Sequence, residues 1–151
     1  QEETKKDTAK LERLGRAFQE NDVKAVEDTF TAYLGKTISI RDTNARKDRK
    51  ENFYHGILLG LLSNLDGWCV RSNAESGDGY SDIMIEIEAQ EIGIVIELKY
   101  AENAAFDAGC REALRQIREK KYEEALVRDG MKIIYRYGIA CYQKRCRVIS
   151  G

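Results

Sequence analysis

Apolar residues recur at helical spacing near the start of the chain, and strand-like apolar runs follow from its middle onward. Between residues 8 and 35, apolar side chains return every three or four positions, which predicts helical structure. These side chains are Leu11, Leu14, Phe18, Val23, Val26 and Phe30. The pattern breaks near Asn21 and Asp22, where the Asp22 carboxylate can cap a second helix. The chain therefore opens with a predicted preface of two helices.

A polar stretch separates this preface from a third predicted helix. Residues 41–50, RDTNARKDRK, are almost entirely polar and predict a loop. A long apolar pattern then runs from about residue 48 to residue 65, and the turn sequence NLDG ends it. Three helices should thus precede any strand.

The middle of the chain predicts three strands in succession. Residues 68–75 (WCVRSNAE) and 80–88 (YSDIMIEIE) are separated by the turn sequence SGDG at 76–79. The third strand, IGIVIELKY at 92–100, is a continuous apolar run. Only three residues separate the last two strands, so we expect them to form an antiparallel hairpin.

The last part of the chain predicts one helix and two further strands. The helix covers residues 110–128 and stops at the dipeptide DG, and MKIIYRYGIACY and CRVIS read as the strands. This order predicts an α/β fold, a mixed central β-sheet flanked by helices. We expect one domain overall, with a helical preface at 1–40 packed on a core at 41–151.

Composition and charge narrow the functional classes. The 151 residues carry a net charge of −1, so any nucleic-acid binding must come from a local basic patch. Four dispersed cysteines suggest reduced thiols in a cytoplasmic protein, and no apolar run is long enough to span a bilayer. The chain begins with Gln, as a segment of a longer polypeptide or a processed chain would.

The candidate chemistry lies at the open end of the predicted hairpin. Strand alternation places Glu97 and Lys99 on one face. A turn centred near Gln90 would bring Asp82 close to Leu98 or Lys99. Two adjacent carboxylates favour a divalent cation such as Mg²⁺, and a nearby lysine can stabilise a phosphate under attack. The alternative is an ion pair of Glu97 and Lys99 where the strand meets solvent, with Asp82 capping a turn.

Two predicted helices offer further polar side chains. Glu51 and His55 are one helical turn apart on the apolar face of the third helix. For His55, the only histidine, a hydrogen-bonded structural role is favoured, whereas Glu51 can supply a third carboxylate. Gln116 on the later helix can contact nucleic acid or water, or satisfy a carbonyl, and Tyr122 is expected to pack.

Together these residues resemble the active-site pattern of the PD-(D/E)XK nuclease superfamily, which has the restriction-endonuclease-like fold. The resemblance extends to the C-terminal nuclease domain of bacterial AAA-ATPase-like proteins. It covers nearly the whole chain, including the preface LGRAFQENDVKAVEDTFTAYLGKTISIRDT. The core segments that carry it are ENFYHGILLGLLS, RSNAESGDGYSDIMIE, VIELKY, ALRQIREKKY and YGIACYQKRCRV.

The resemblance implies a role for each matching residue. Asp82, Glu97 and the Leu98 backbone carbonyl would bind Mg²⁺ or Mn²⁺, with Lys99 beside the attacking water. Glu51 would be the auxiliary acid that reaches the metal through water.

Two positions depart from the family pattern. Gln116 and Tyr122 would stand near the Gln and Tyr of some superfamily nucleases, but their spacing of six departs from Q-x-x-x-Y. Ser81 replaces the Pro of the superfamily name, a position that varies widely.

The leading hypothesis is a Mg²⁺-dependent nuclease that hydrolyses DNA, as a module of a larger bacterial ATPase-linked protein. An ATPase domain in the same polypeptide and further copies of the chain are candidate partners. Basic segments at 41–50, 111–121 and 144–147 can hold the nucleic-acid backbone or simply be solvated. The alternatives are a catalytically inactive module of the same fold that binds protein or nucleic acid, and an enzyme acting on another phosphate-containing substrate.

Overall fold

The computed structural model describes residues 2–36, 47–74 and 80–151. The helices are α1 (Glu2–Gln19), α2 (Val23–Lys36), α3 (Lys47–Leu62), α4 (Phe106–Lys120) and α5 (Glu123–Arg128). The strands are β1 (Trp68–Ala74), β2 (Tyr80–Ile87), β3 (Ile92–Tyr100), β4 (Ile133–Tyr142) and β5 (Arg145–Ser150). Single 3₁₀ turns at Glu88–Gln90 and Glu102–Ala104 join three of these elements.

The five strands form one mixed sheet in the order β1-β2-β3-β4-β5. Neighbouring strands are antiparallel except β3 and β4, which are parallel and joined by the crossover through α4 and α5. Strand β3 lies at the centre, and all nine of its residues are buried. The α/β fold predicted from the sequence, a mixed sheet flanked by helices, is therefore confirmed.

Helices α1, α2 and α3 cover one face of this sheet. Alternate residues of the strands on that face share one apolar core with the inner faces of the three helices. Among its largest fully buried side chains are Phe18, Phe30, Tyr54, Leu58, Ile85, Ile96 and Tyr137. The Asp22 carboxylate accepts a hydrogen bond from the Ala25 N–H at 3.1 Å, so the predicted cap of α2 is present.

Helix α2 also covers the edge strand of the sheet. Glu27 Oε1 accepts a hydrogen bond from the Val148 N–H at 3.0 Å, and Thr31 Oγ1 accepts one from the Cys146 N–H at 3.4 Å. An uncovered edge strand presents unpaired N–H groups that invite pairing with other chains. Side chains of the preface thus satisfy alternate N–H groups of β5.

Helices α4 and α5 cover the opposite face. Met84, Val95, Ile117 and Leu126 belong to a second apolar cluster there. Gly138 allows α4 to approach β4 closely, because a Cβ at that position would lie 2.6 Å from the Cys110 carbonyl oxygen. Helix α4 therefore lies directly on the sheet.

The prediction of a single helix over residues 110–128 is wrong. Helix α4 begins earlier, at Phe106, and ends at Lys120, and Lys121 adopts a left-handed conformation (φ 54°) before α5 begins. The break redirects the chain so that Leu126 is buried against the second apolar cluster. The predicted turn at 76–79 and the greater part of the predicted loop at 41–50 lie outside the described residues.

The cysteine thiols are all free, as predicted. Cys141 and Cys146 are direct partners across β4 and β5, and both are buried together with Cys110, whereas Cys69 is exposed. Burial raises the pKa of the Cys110 thiol to about 11 and that of Cys146 to about 12. Such thiols are poor nucleophiles at neutral pH. Within the described ranges, none of the helices combines the length and apolar character needed to cross a membrane.

Glu86 is a second buried acid of β2 on the α4 face, four residues after Asp82. Glu86 is 8% exposed, and Arg71 Nη2 lies 3.7 Å from its Oε2 and 3.7 Å from Asp129 Oδ2. Burial, and then the hydrogen bond and the negative charge of Asp129, raise the pKa of the Glu86 carboxyl. Glu86 therefore binds a proton more readily in the folded protein than in the unfolded chain.

Glu86→Gln should stabilise the protein at pH 7 and make its stability less dependent on pH. A carboxyl with a raised folded pKa costs stability as the pH rises from the ordinary glutamate range through the folded pKa. We expect the free energy of unfolding at pH 7 to increase by about 0.5–1 kcal/mol, with little change at pH 4. Urea denaturation of both proteins between pH 4 and pH 8 measures the difference, with the exposed Glu102→Gln as control. A lower free energy of unfolding for Glu86→Gln than for the wild type at pH 7 would contradict the prediction.

Candidate active site

Pairing of β2 with β3 places three charged side chains on the α4 face of the sheet. The Cα partners are Asp82 and Glu97, so Leu98 and Lys99, which the sequence predicted to lie close to Asp82, follow its partner by one and two residues. The observed register differs from that of a turn centred on Gln90 because the connection is a 3₁₀ turn at Glu88–Gln90 followed by a left-handed Glu91. With the observed register, the Asp82 side chain shares a face with those of Glu97 and Lys99.

These three side chains are buried although all can carry a charge. The exposed fraction is 1% for Asp82, 0% for Glu97 and 8% for Lys99. Neither carboxylate oxygen of Glu97 has a hydrogen-bond partner among the described residues. The ammonium of Lys99 lies 3.6 Å from Glu97 Oε1. A buried carboxylate without hydrogen bonds is costly, and a bound cation is one way to compensate it.

A second lysine reaches the same carboxylates from α4. Lys120 Nζ lies 3.3 Å from Asp82 Oδ2 and 3.8 Å from Glu97 Oε1. Lys120 was not among the site residues predicted from the sequence. A signal was present, because Lys120 stands one helical turn after Gln116, on the same side of the helix.

Glu51 is the first site candidate along the chain. It lies in α3, and its side chain contacts the end of β3. Its Oε2 accepts a hydrogen bond from the Tyr100 N–H at 3.0 Å. Burial raises the pKa of the Glu51 carboxyl, against the opposing effects of that N–H and of the Lys99 ammonium. Burial also lowers the pKa of Lys99, whereas the charges of Glu51 and Glu112 raise it. The charges of Glu51, Lys99 and Glu112 are therefore close enough to shift the pKa values of Glu51 and Lys99.

The remaining candidates occupy different surroundings. His55 is buried and its Nε2 lies 2.8 Å from Ser72 Oγ, so it is hydrogen-bonded as predicted. Tyr122 is half-buried and packs against the second apolar cluster, also as predicted. Gln116 is half-buried on α4. Leu98 follows the last β2–β3 partner pair and pairs with Ile139 on β4, and its carbonyl remains a predicted metal ligand.

The donor set suits Mg²⁺. Asp82 and Glu97 offer hard carboxylate oxygens, and those of Glu97 have no competing hydrogen bond within the described part of the chain. No cluster of three or more His, Cys, Asp or Glu side chains able to hold a metal occurs among residues 2–36, 47–74 and 80–151. Mg²⁺ commonly binds through only one or two carboxylates and keeps several waters, whereas a structural zinc site needs about four ligands.

Comparison with known proteins identifies the family. No curated protein and no solved structure matches the chain significantly. A family model described as the PD-(D/E)XK nuclease superfamily matches residues 49–151, which is more than half of the chain. Nucleases of this superfamily generally use divalent metal ions, and some members can be inactive. The five-stranded mixed sheet is consistent with their restriction-endonuclease-like fold. The chain therefore belongs to the PD-(D/E)XK nuclease superfamily.

Proposed function

We propose that this protein is a Mg²⁺-dependent nuclease that hydrolyses phosphodiester bonds of DNA. The observation that carries the proposal is the buried Glu97 carboxylate. Glu97 is the cross-strand partner of Asp82 in the β2–β3 hairpin, and its Oε1 lies 3.6 Å from the Lys99 ammonium. Two acids buried side by side repel each other, and a bound divalent cation offsets this repulsion. The family supports a nucleic-acid substrate for this site.

Each residue has a role in the proposed reaction. Asp82 and Glu97 would hold the ion, with the Leu98 carbonyl as a third donor, and Mn²⁺ could replace Mg²⁺. When bound, the ion supplies Lewis-acid polarisation of a phosphate oxygen. Lys99 stabilises the negative charge that develops on the phosphate. Glu51 orients water at the end of β3, and Gln116 contacts the substrate backbone from α4.

Basic side chains at the start of α3 supply a local phosphate-binding patch. Lys47 and Arg49 are exposed, and the charge of Lys47 acts on both Glu51 and Lys99. Contacts between lysine or arginine and phosphates do not depend on base sequence. By contrast, Arg147 of the predicted basic segment at 144–147 pairs with Asp107 at 2.8 Å and lies over the Phe106 ring. We therefore favour Lys47 and Arg49 as the DNA contacts near the site.

The cellular setting is also part of the proposal. The sequence resemblance to the nuclease domains of bacterial AAA-ATPase-like proteins supports a module of a larger ATPase-linked protein. The four free cysteines support a reducing compartment such as the cytoplasm.

Cleavage assays with purified protein test the proposed activity. Supercoiled plasmid, linear duplex and single-stranded DNA are incubated with Mg²⁺, with Mn²⁺ or with EDTA. We expect metal-dependent cleavage that each of Lys99→Met and Asp82→Asn reduces at least about a hundredfold. Lys99→Met removes a cation that stabilises the reacting phosphate, and Asp82→Asn removes a charged ligand of the metal. Lys132→Met is the control, since Lys132 is exposed beside Glu91 at the opposite end of the hairpin.

The absence of cleavage of every DNA form with both metals would contradict the proposed nuclease. Retention of DNA binding under those conditions would instead support the inactive binding module. Cleavage of equal rate in wild type and Asp82→Asn would show that the activity comes from another site or from a contaminant.

A further inference from the structure

Lys120 is the only described side chain whose cation lies within 4 Å of both Asp82 and Glu97. Its side chain is 20% exposed, whereas the two carboxylates are essentially inaccessible. Like charges directly opposite each other on neighbouring strands repel. Lys120 bridges such a pair, so its ammonium offsets a repulsion that the β2–β3 register itself creates.

The geometry of α4 explains why this lysine reaches the strands. Glu112, Gln116 and Lys120 follow one another at intervals of four and are all half-buried, which places them along one side of the helix. Ala113 and Ile117, on the neighbouring side, are fully buried against the sheet. Long side chains on a helix lean towards its N-terminus, so Lys120 extends back from the last turn over the carboxylates.

An ammonium and a divalent cation cannot occupy this position together. Mg²⁺ binds carboxylate oxygens at about 2.0–2.1 Å. Lys120 Nζ lies 3.3 Å from Asp82 Oδ2 and 3.8 Å from Glu97 Oε1, so it contacts the same two oxygens that the ion would bind. A cation bound to both oxygens would have to displace it. Lys99, by contrast, forms an ion pair with Glu97 Oε1 at 3.6 Å, from the same strand.

We propose that Lys120 is a positioning residue that competes with the metal ion for Asp82 and Glu97. It holds the two acids in place before the metal binds, and metal binding releases its ammonium from them. This inference rests on the proposed function, because it assigns the metal to the same two carboxylates. Lys120 thereby sets the metal concentration at which the site fills.

Metal binding without nucleic acid tests this role. Mn²⁺ is titrated calorimetrically into wild type, Lys120→Met, Lys120→Gln and Asp82→Asn, with Lys121→Met as a matched control at the exposed neighbouring lysine. We expect both Lys120 variants to bind Mn²⁺ about three- to tenfold more tightly, because the metal no longer displaces an ion pair. A merely structural role would weaken binding or leave it unchanged. Circular dichroism and thermal melting establish that each variant is folded.

The possible outcomes separate this inference from the proposed function. Tighter Mn²⁺ binding by the Lys120 variants supports the competition, even if no protein cleaves DNA, in which case only the nuclease proposal fails. Unchanged or weaker binding by both folded variants, with wild type binding Mn²⁺ normally, overturns the competition alone. If neither wild type nor any variant binds Mn²⁺, both proposals fail.

Discussion

Glu97→Gln should abolish metal-dependent cleavage and also the stabilisation of the protein by metal. Glutamine keeps the size of the side chain but removes the charge of the most deeply buried acid of the site. A metal ion contributes several kcal/mol of charge stabilisation to a transition state. Its loss should slow cleavage about a thousandfold or more.

The stability of the same variant gives a second, independent measurement. A ligand present at a hundred times its dissociation constant stabilises the folded state by about 2.7 kcal/mol. We therefore expect Mn²⁺ to raise the melting temperature of the wild type by several degrees and that of Glu97→Gln hardly at all. Glu91→Gln, at the exposed turn of the same hairpin, is the control and should behave as the wild type. A full thermal shift in Glu97→Gln would place the metal elsewhere.

Phe30→Ala should destabilise the whole domain by about 3–5 kcal/mol. Phe30 lies in α2, outside the residues that match the family model, yet it is completely buried in the core beneath the sheet. Removing the ring leaves a cavity between the preface and the strands. Urea denaturation measures the change in the free energy of unfolding.

The matched control for Phe30 is Phe53, which is 44% exposed on α3. Phe53→Ala should cost well under 1 kcal/mol, because little apolar area returns to water. If Phe30→Ala is equally mild, the preface is a separate unit docked on the core. A loss of several kcal/mol in a single cooperative transition would make α1, α2 and the sheet one folding unit.

Strand β3 could be predicted to the residue, because its short apolar run follows a polar turn and is rich in the β-branched residues Ile and Val. The break between α4 and α5 could not. The sequence REKKYEE around Lys121 contains neither Gly nor Pro, and a left-handed lysine gives no local signal. The break is instead explained by burial of Leu126, a tertiary contact that the helical period does not contain.

The site residues likewise include some that the sequence predicts and one that it does not. Asp82, Glu97 and Lys99 could be selected because a hairpin brings together residues that are near in sequence. Their register was predicted only approximately, because the polar turn allows a connection of three residues (89–91) as well as the observed four (88–91). The one-residue difference moves the partner of Asp82 from Leu98 to Glu97. Lys120 comes from another element, and the charged sequence REKK around it is typical of a solvated helix end. Only the packing of α4 on β4 shows where it reaches.

The contacts between the preface and the last strands also determine the order of events during synthesis. Phe18 with Tyr137, Glu27 with Val148 and Thr31 with Cys146 join positions 115 to 121 residues apart. A translating ribosome needs on the order of 10 s to add such a length. During that interval, the apolar sides of α1 and α2 have no sheet to cover. We therefore expect the apolar sides of α1 and α2 to pack against each other, or to remain exposed, until β5 has been synthesised.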